Sequence, residues 1–88
     1  MRELYNGTSE DIKNSDVLES RLKIGATIRS IRETRGLSQE QLAEKMNISR
    51  STISKIESGK FNCSIDYLSK FASFLHFEII LKDSQEKF

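Results

Sequence analysis

Arg50, Ser51, Ser54 and Lys55 lie in one short stretch at spacings that place them on one side of a helix, while Ile53 and Ile56, three apart, fall on the other. Long cationic and short hydroxyl groups on one helix face can bond base edges and phosphates, the chemistry that reading a DNA major groove requires. From Ser49 to Lys60 the bases are Arg50, Lys55 and Lys60 against the one acid Glu57, a local charge of +2. No other chemistry has a residue set behind it. The single Cys63 excludes an internal disulfide and offers no metal cluster, and the single His76 supplies no acid-base pair. Neither a nucleophile constellation nor a phosphate-cradling glycine loop occurs, so no enzyme, metal or cofactor is expected. Cys63 reads as a buried or half-buried thiol and His76 as a helix-end residue.

Helix punctuation defines the elements that must position this face. Gly36 can take the left-handed conformation that ends a helix, and Ser38 with Gln41 has the spacing of a capping box, so a new helix starts at Ser38. Leu42, Ala43 and Met46 share one face of it, leaving Gln39, Glu40, Glu44 and Lys45 to solvent. Asn47 suits a left-handed turn, Ile48 can plug the corner, and Ser49 is a fresh N-cap. Two helices joined so tightly cross at a large angle, the second ending at Glu57 with Gly59 as its cap. From spacing alone, a small helical bundle with an incidentally basic surface remains open.

Eighty-eight residues make one small domain, in which about 60% of the unfolded surface is buried, so its stability is modest and dimerisation would help. The net charge of +1 conceals a division. Residues 1–20 carry two bases and five acids (−3), residues 21–60 nine and four (+5), and residues 61–88 three and four (−1). Positive charge is thus concentrated around the candidate reading face, and binding there should weaken steeply with salt. No signal peptide and no long apolar span occur, which predicts a cytoplasmic chain with no membrane partner.

Residues 1–16, with few apolar side chains and scattered acids, read as a flexible acidic arm. It is expected to bind a partner protein, to hinder nonspecific DNA contact, or to be a simple tail. Val17, Leu18 and Leu22 extend the first helix upstream, with Ser15 as a candidate N-cap and a start between residues 15 and 21. After the basic helix, Ser64 is an N-cap candidate, and Ile65, Leu68, Phe71, Ala72 and Leu75 follow helical spacing. That helix, with Ile28, Ile31, Leu37 and Phe61, is assigned to the core. The period then changes. Phe77, Ile79 and Leu81 alternate with Glu78, Ile80 and Lys82, which predicts a strand over 77–82. Its simplest partner is the same strand of a second copy, across a dimer two-fold. A C-terminal extension of helix four, or a strand packed alone, stays open.

Residues 22–75 resemble the Xre/Cro family of helix-turn-helix domains, which includes the phage repressors. The matching elements are Ile24-Gly-Ala-Thr-Ile-Arg-Ser-Ile-Arg, Gly36-Leu-Ser-Gln-Glu-Gln-Leu-Ala, Ile48-Ser-Arg-Ser-Thr-Ile-Ser-Lys-Ile-Glu-Ser-Gly-Lys and Leu68-x-x-Phe-Ala. The resemblance implies an all-α, lambda-repressor-like bundle of four to five helices, here followed by one short β-strand. The expected divisions are the arm (1–16), the helix-turn-helix domain (17–76), the dimerisation strand (77–82, with Phe77, Ile79, Ile80 and Leu81) and a tail (83–88).

It also implies roles for single residues. Arg50, Ser51, Ser54 and Lys55 match positions that face base edges, and Arg50 and Lys55 suit guanine O6 and N7. Gln39, Ser49, Lys60 and Asn62 match positions that contact the DNA backbone, giving register rather than sequence choice. Arg32 and Glu57 match an ion pair that ties the first helix to the end of the recognition helix.

The function these features imply is a sequence-specific, double-stranded-DNA-binding regulator, an autorepressor acting as a homodimer on a pseudo-palindromic operator. One helical domain followed by one short strand also resembles HipB-type antitoxins. The alternative is therefore a HipB-like or HigA-like antitoxin whose partner is a toxin protein encoded by an adjacent gene.

Overall fold

The computed structural model describes the backbone of residues 2–83 and the side chains of residues 15–83. Four helices follow in order: α1 (Arg2–Thr34), α2 (Gln39–Met46), α3 (Arg50–Glu57) and α4 (Ile65–Leu75). Ile28 of α1, Leu42, Ala43 and Met46 of α2, Ile53 and Ile56 of α3, and Phe71 and Leu75 of α4 are buried together as one core. Each helix thus loses an apolar stripe from water to the shared core, which is what stabilises such short helices.

Each of the three shorter helices begins at a serine cap: the hydroxyls of Ser38, Ser49 and Ser64 accept from the backbone N–H groups of Gln41, Thr52 and Tyr67. Gly36 leaves α1 with φ +75°, and Asn47 and His76 end α2 and α4 in the left-handed conformation at φ 58° and 61°. Gly25 permits a close crossing. A Cβ there would lie 2.7 Å from the Glu57 carbonyl oxygen and closer still to that of Ile56, so α1 rests directly on the end of α3.

Arg35 was not anticipated as a structural residue. Its Nε donates to the Leu75 carbonyl (2.8 Å) and its Nη2 to that of His76 (3.0 Å), satisfying the last carbonyls of α4. The end of α1 is thereby tied to the end of α4.

Several expectations are corrected. Helix α1 starts at Arg2, upstream of the expected 15–21, and runs through the segment assigned to a flexible arm. Nothing stops it there: the chain contains no proline, and Ser15 lies inside the helix rather than capping it. The four helices among the described residues lie within the four to five expected.

The dimerisation strand assigned to Phe77, Ile79, Ile80 and Leu81 does not form, and no β-strand occurs among the described residues. A strand needs a ladder partner for its N–H and C=O groups, and none lies beside this segment among the described residues. Instead the left-handed His76 turns the backbone so that the Phe77 N–H donates to the Ala72 carbonyl (3.1 Å). Phe77 packs on the core, and Ile79, Ile80 and Leu81 are 41%, 75% and 95% exposed. Tail residues 84–88 lie outside the described residues.

Phe61 and Ile65, assigned to the core, are exposed. Ile65 is the first residue of α4, ahead of its buried stripe, and Phe61 sits in the α3–α4 loop with its ring edge-on to Tyr67 (6.3 Å between centroids).

Candidate nucleic-acid interface

The capping box at the start of α2 is closed from both sides: Ser38 Oγ accepts from the Gln41 N–H (3.0 Å), and Gln41 Oε1 accepts from the Ser38 N–H (2.8 Å). At the other end, the Asn47 and Ile48 N–H groups donate to the Glu44 and Ala43 carbonyls (3.2 and 3.0 Å), which turns the chain sharply into α3. The sequence makes this corner tight because Asn47 tolerates the left-handed backbone and Ser49 at once caps the next helix.

Helix α3 is divided by its burial. Ile53, Ile56 and Glu57 face inward, whereas Arg50, Ser51 and Lys55 are exposed and Ser54 is half-buried at the boundary. Lys60 and Asn62, just beyond the helix, are also exposed. Ser49 is occupied as the N-cap, its Oγ 3.1 Å from the Thr52 N–H and 2.9 Å from the Thr52 hydroxyl.

Beneath the exposed face lies a polar chain. Arg32 Nε and Nη2 donate to the two Glu57 carboxylate oxygens at 2.6 and 2.9 Å, and Nη1 donates to the Leu37 carbonyl at 2.7 Å. Both residues are buried. The Glu57 hydrogen bond raises the Arg32 pKa, with burial opposing it, so the guanidinium stays charged. Gln39 Nε2 then donates to Glu57 Oε1 (3.0 Å), and Arg50 Nη1 donates to Gln39 Oε1 (2.9 Å). Gln39 is therefore half-buried and engaged on both sides, and Arg50 leans toward the start of α2. Neither bond is visible in residue spacing. The only sequence signal was that both side chains head their helices, α2 and α3.

This arrangement presents cationic and hydroxyl donors on an exposed helix whose opposite side is fixed in a core. Among the described residues no group of His, Cys, Asp and Glu is placed to hold a metal ion. No helix among them is long and apolar enough to cross a membrane.

Residues 28–80 match the family model described as HTH_3: Helix-turn-helix. The chain belongs to this helix-turn-helix family. As an Xre/Cro-type DNA-binding member, it is similar to an immunity repressor protein of Bacillus phage phi105. The two are 40% identical over 58 residues, which is 66% of this chain and 40% of the repressor, so the match spans less than half of that relative's length. In three dimensions the helix-turn-helix domain is similar to the restriction-modification controller protein C.AhdI from Aeromonas hydrophila. The TM-score is 0.64 at 35% identity, covering 68% of this chain and 91% of that one.

Proposed function

We propose that this helix-turn-helix protein is a sequence-specific transcriptional regulator that binds double-stranded DNA by inserting α3 into the major groove. The observation that carries the reading is the division of α3: Ile53 and Ile56 are buried, while Arg50, Ser51 and Lys55 stand exposed beside them. On this reading Arg50 and Lys55, with Ser51 and Ser54, read base edges. Gln39, Ser49, Lys60 and Asn62 meet the backbone.

The regulator acts as a homodimer on a pseudo-palindromic operator and represses its own gene. Support for pairing comes from the exposed apolar run Ile79, Ile80 and Leu81, because a small domain gains stability by covering such a surface. The names of both relatives point to gene control, which favours a regulator over an antitoxin.

A binding titration with the DNA upstream of the native gene tests this. Wild-type protein is expected to give a specific complex that weakens steeply with salt, and Arg50→Ala and Lys55→Ala each to cost about 1–3 kcal/mol of specific affinity. Absence of a salt-sensitive specific complex, or unchanged affinity in both variants, would sink the proposal.

A further inference from the structure

The polar chain beneath α3 does more than join helices. We infer that Glu57, buried beneath the proposed reading surface, is a positioning residue for base recognition: through the Gln39 amide it holds the Arg50 guanidinium in one pose. This rests on the DNA-reading proposal above and adds to it a residue that determines specificity without touching DNA.

The hydrogen-bond inventory fixes the direction of the relay. An ionised carboxylate only accepts, and a guanidinium only donates. Glu57 Oε1, already receiving Arg32 Nη2, also receives Gln39 Nε2, so the amide NH2 must point inward. Its carbonyl oxygen then points outward, where Arg50 Nη1 meets it at 2.9 Å. A flipped amide would set oxygen against carboxylate and NH2 against guanidinium, losing both bonds. The orientation of Gln39 is therefore dictated by the buried Arg32–Glu57 pair.

Arg50 itself is exposed, and an exposed arginine otherwise samples many rotamers. One bond to Gln39 occupies a single N–H of its five and leaves the rest of a rigid, planar fork for a guanine edge or a phosphate. The relay crosses all three helices around the reading face: Arg32 on α1, Gln39 on α2, and Arg50 and Glu57 at opposite ends of α3. Such a support holds a reading group at one angle, which is what bidentate base recognition demands.

The test uses the full-length protein and the variants Glu57→Gln, Gln39→Met and Arg50→Ala, each checked for folding by thermal melting. Without DNA, NMR of the arginine side chains is expected to show hindered guanidinium rotation for Arg50 in the wild type and free rotation in Gln39→Met. Free rotation in the wild type overturns the relay.

With DNA, affinity is measured for operators carrying each of the four base pairs at every position. Arg50→Ala should flatten the preference at one position by about tenfold. Glu57→Gln and Gln39→Met should flatten it at that same position by about threefold or more, and add nothing in an Arg50→Ala background. If Glu57→Gln melts below the working temperature, Gln39→Met, which leaves the ion pair intact, decides alone. An unchanged profile in Gln39→Met, or flattening spread evenly over all positions, overturns the inference. A wild type with no preference anywhere overturns the DNA-reading proposal and this inference with it, a result distinct from a failed relay because the NMR readout needs no DNA.

Discussion

Arg32 and Glu57 are the two buried charges among the described residues, and their energetics are asymmetric. A buried pair contributes little net stability over a well-packed apolar pair, but removing one member strands the other without solvent. Arg32→Met is therefore expected to destabilise the fold by about 3–5 kcal/mol in chemical denaturation, and the double variant Arg32→Met/Glu57→Leu by less than that single change. Cys63 makes a second prediction. Burial among apolar neighbours raises its thiol pKa, so the folded chain is expected to react with a maleimide at pH 8 more slowly than the denatured chain. Because the native pKa is raised, the unfolded state loses its proton first as the solution becomes alkaline. The stabilisation is complete below the ordinary thiol pKa and is lost as pH rises through the raised one. Of these residues, Arg32 and Glu57 emerged only through family resemblance, since positions 25 residues apart share no local period. For the bonds made by Gln39, the place of each side chain at a helix start was too weak a signal, because a long polar side chain there is equally compatible with solvent.

Among the elements, the crossing of α1 on α3 depends on one missing methyl group. Gly25→Ala would raise intrinsic helix propensity by about 1 kcal/mol, yet its Cβ would meet the carbonyl oxygens of Ile56 and Glu57, which are backbone and cannot swing aside. The clash outweighs the gain, and a net loss of about 1–3 kcal/mol in thermal or chemical unfolding is expected. A variant as stable as the wild type would show that α1 does not rest on α3 at this point. Helices α2, α3 and α4 were legible because each carries its own start signal: Ser38 with Gln41, Ser49 and Ser64 all cap as their spacing predicts. The start of α1 was not legible, for the opposite reason. Its first half has no proline and little periodicity, and the cap candidate Ser15 lies inside the helix, so local rules put the boundary too late. The segment after His76 misled because alternation records which side chains can share a face, whereas a strand also needs a second backbone alongside.

For the whole molecule, a net charge of +1 is the sum of an acidic start, a basic middle carrying +5 over residues 21–60 and a mildly acidic end. The proposed homodimer sets two such basic middles side by side, about one DNA turn apart. Sedimentation across a concentration series is expected to show a monomer–dimer equilibrium. Ile80→Asp with Leu81→Asp should shift it toward monomer and weaken operator binding, leaving helix content unchanged. Dimers of unaltered affinity in that variant would place the pairing surface elsewhere.

Helix α1 spans Arg2–Thr34 without interruption, a rod of about 50 Å at 1.5 Å per residue. Arg32 near its far end is clamped to Glu57, so the rotational phase of the whole rod is set by α3. Anything carried at its first turn is indexed to α3 in both height and azimuth. One inserted residue upstream of the core would swing such cargo by about 100°, while seven would return it nearly to its bearing, about two helical turns further out.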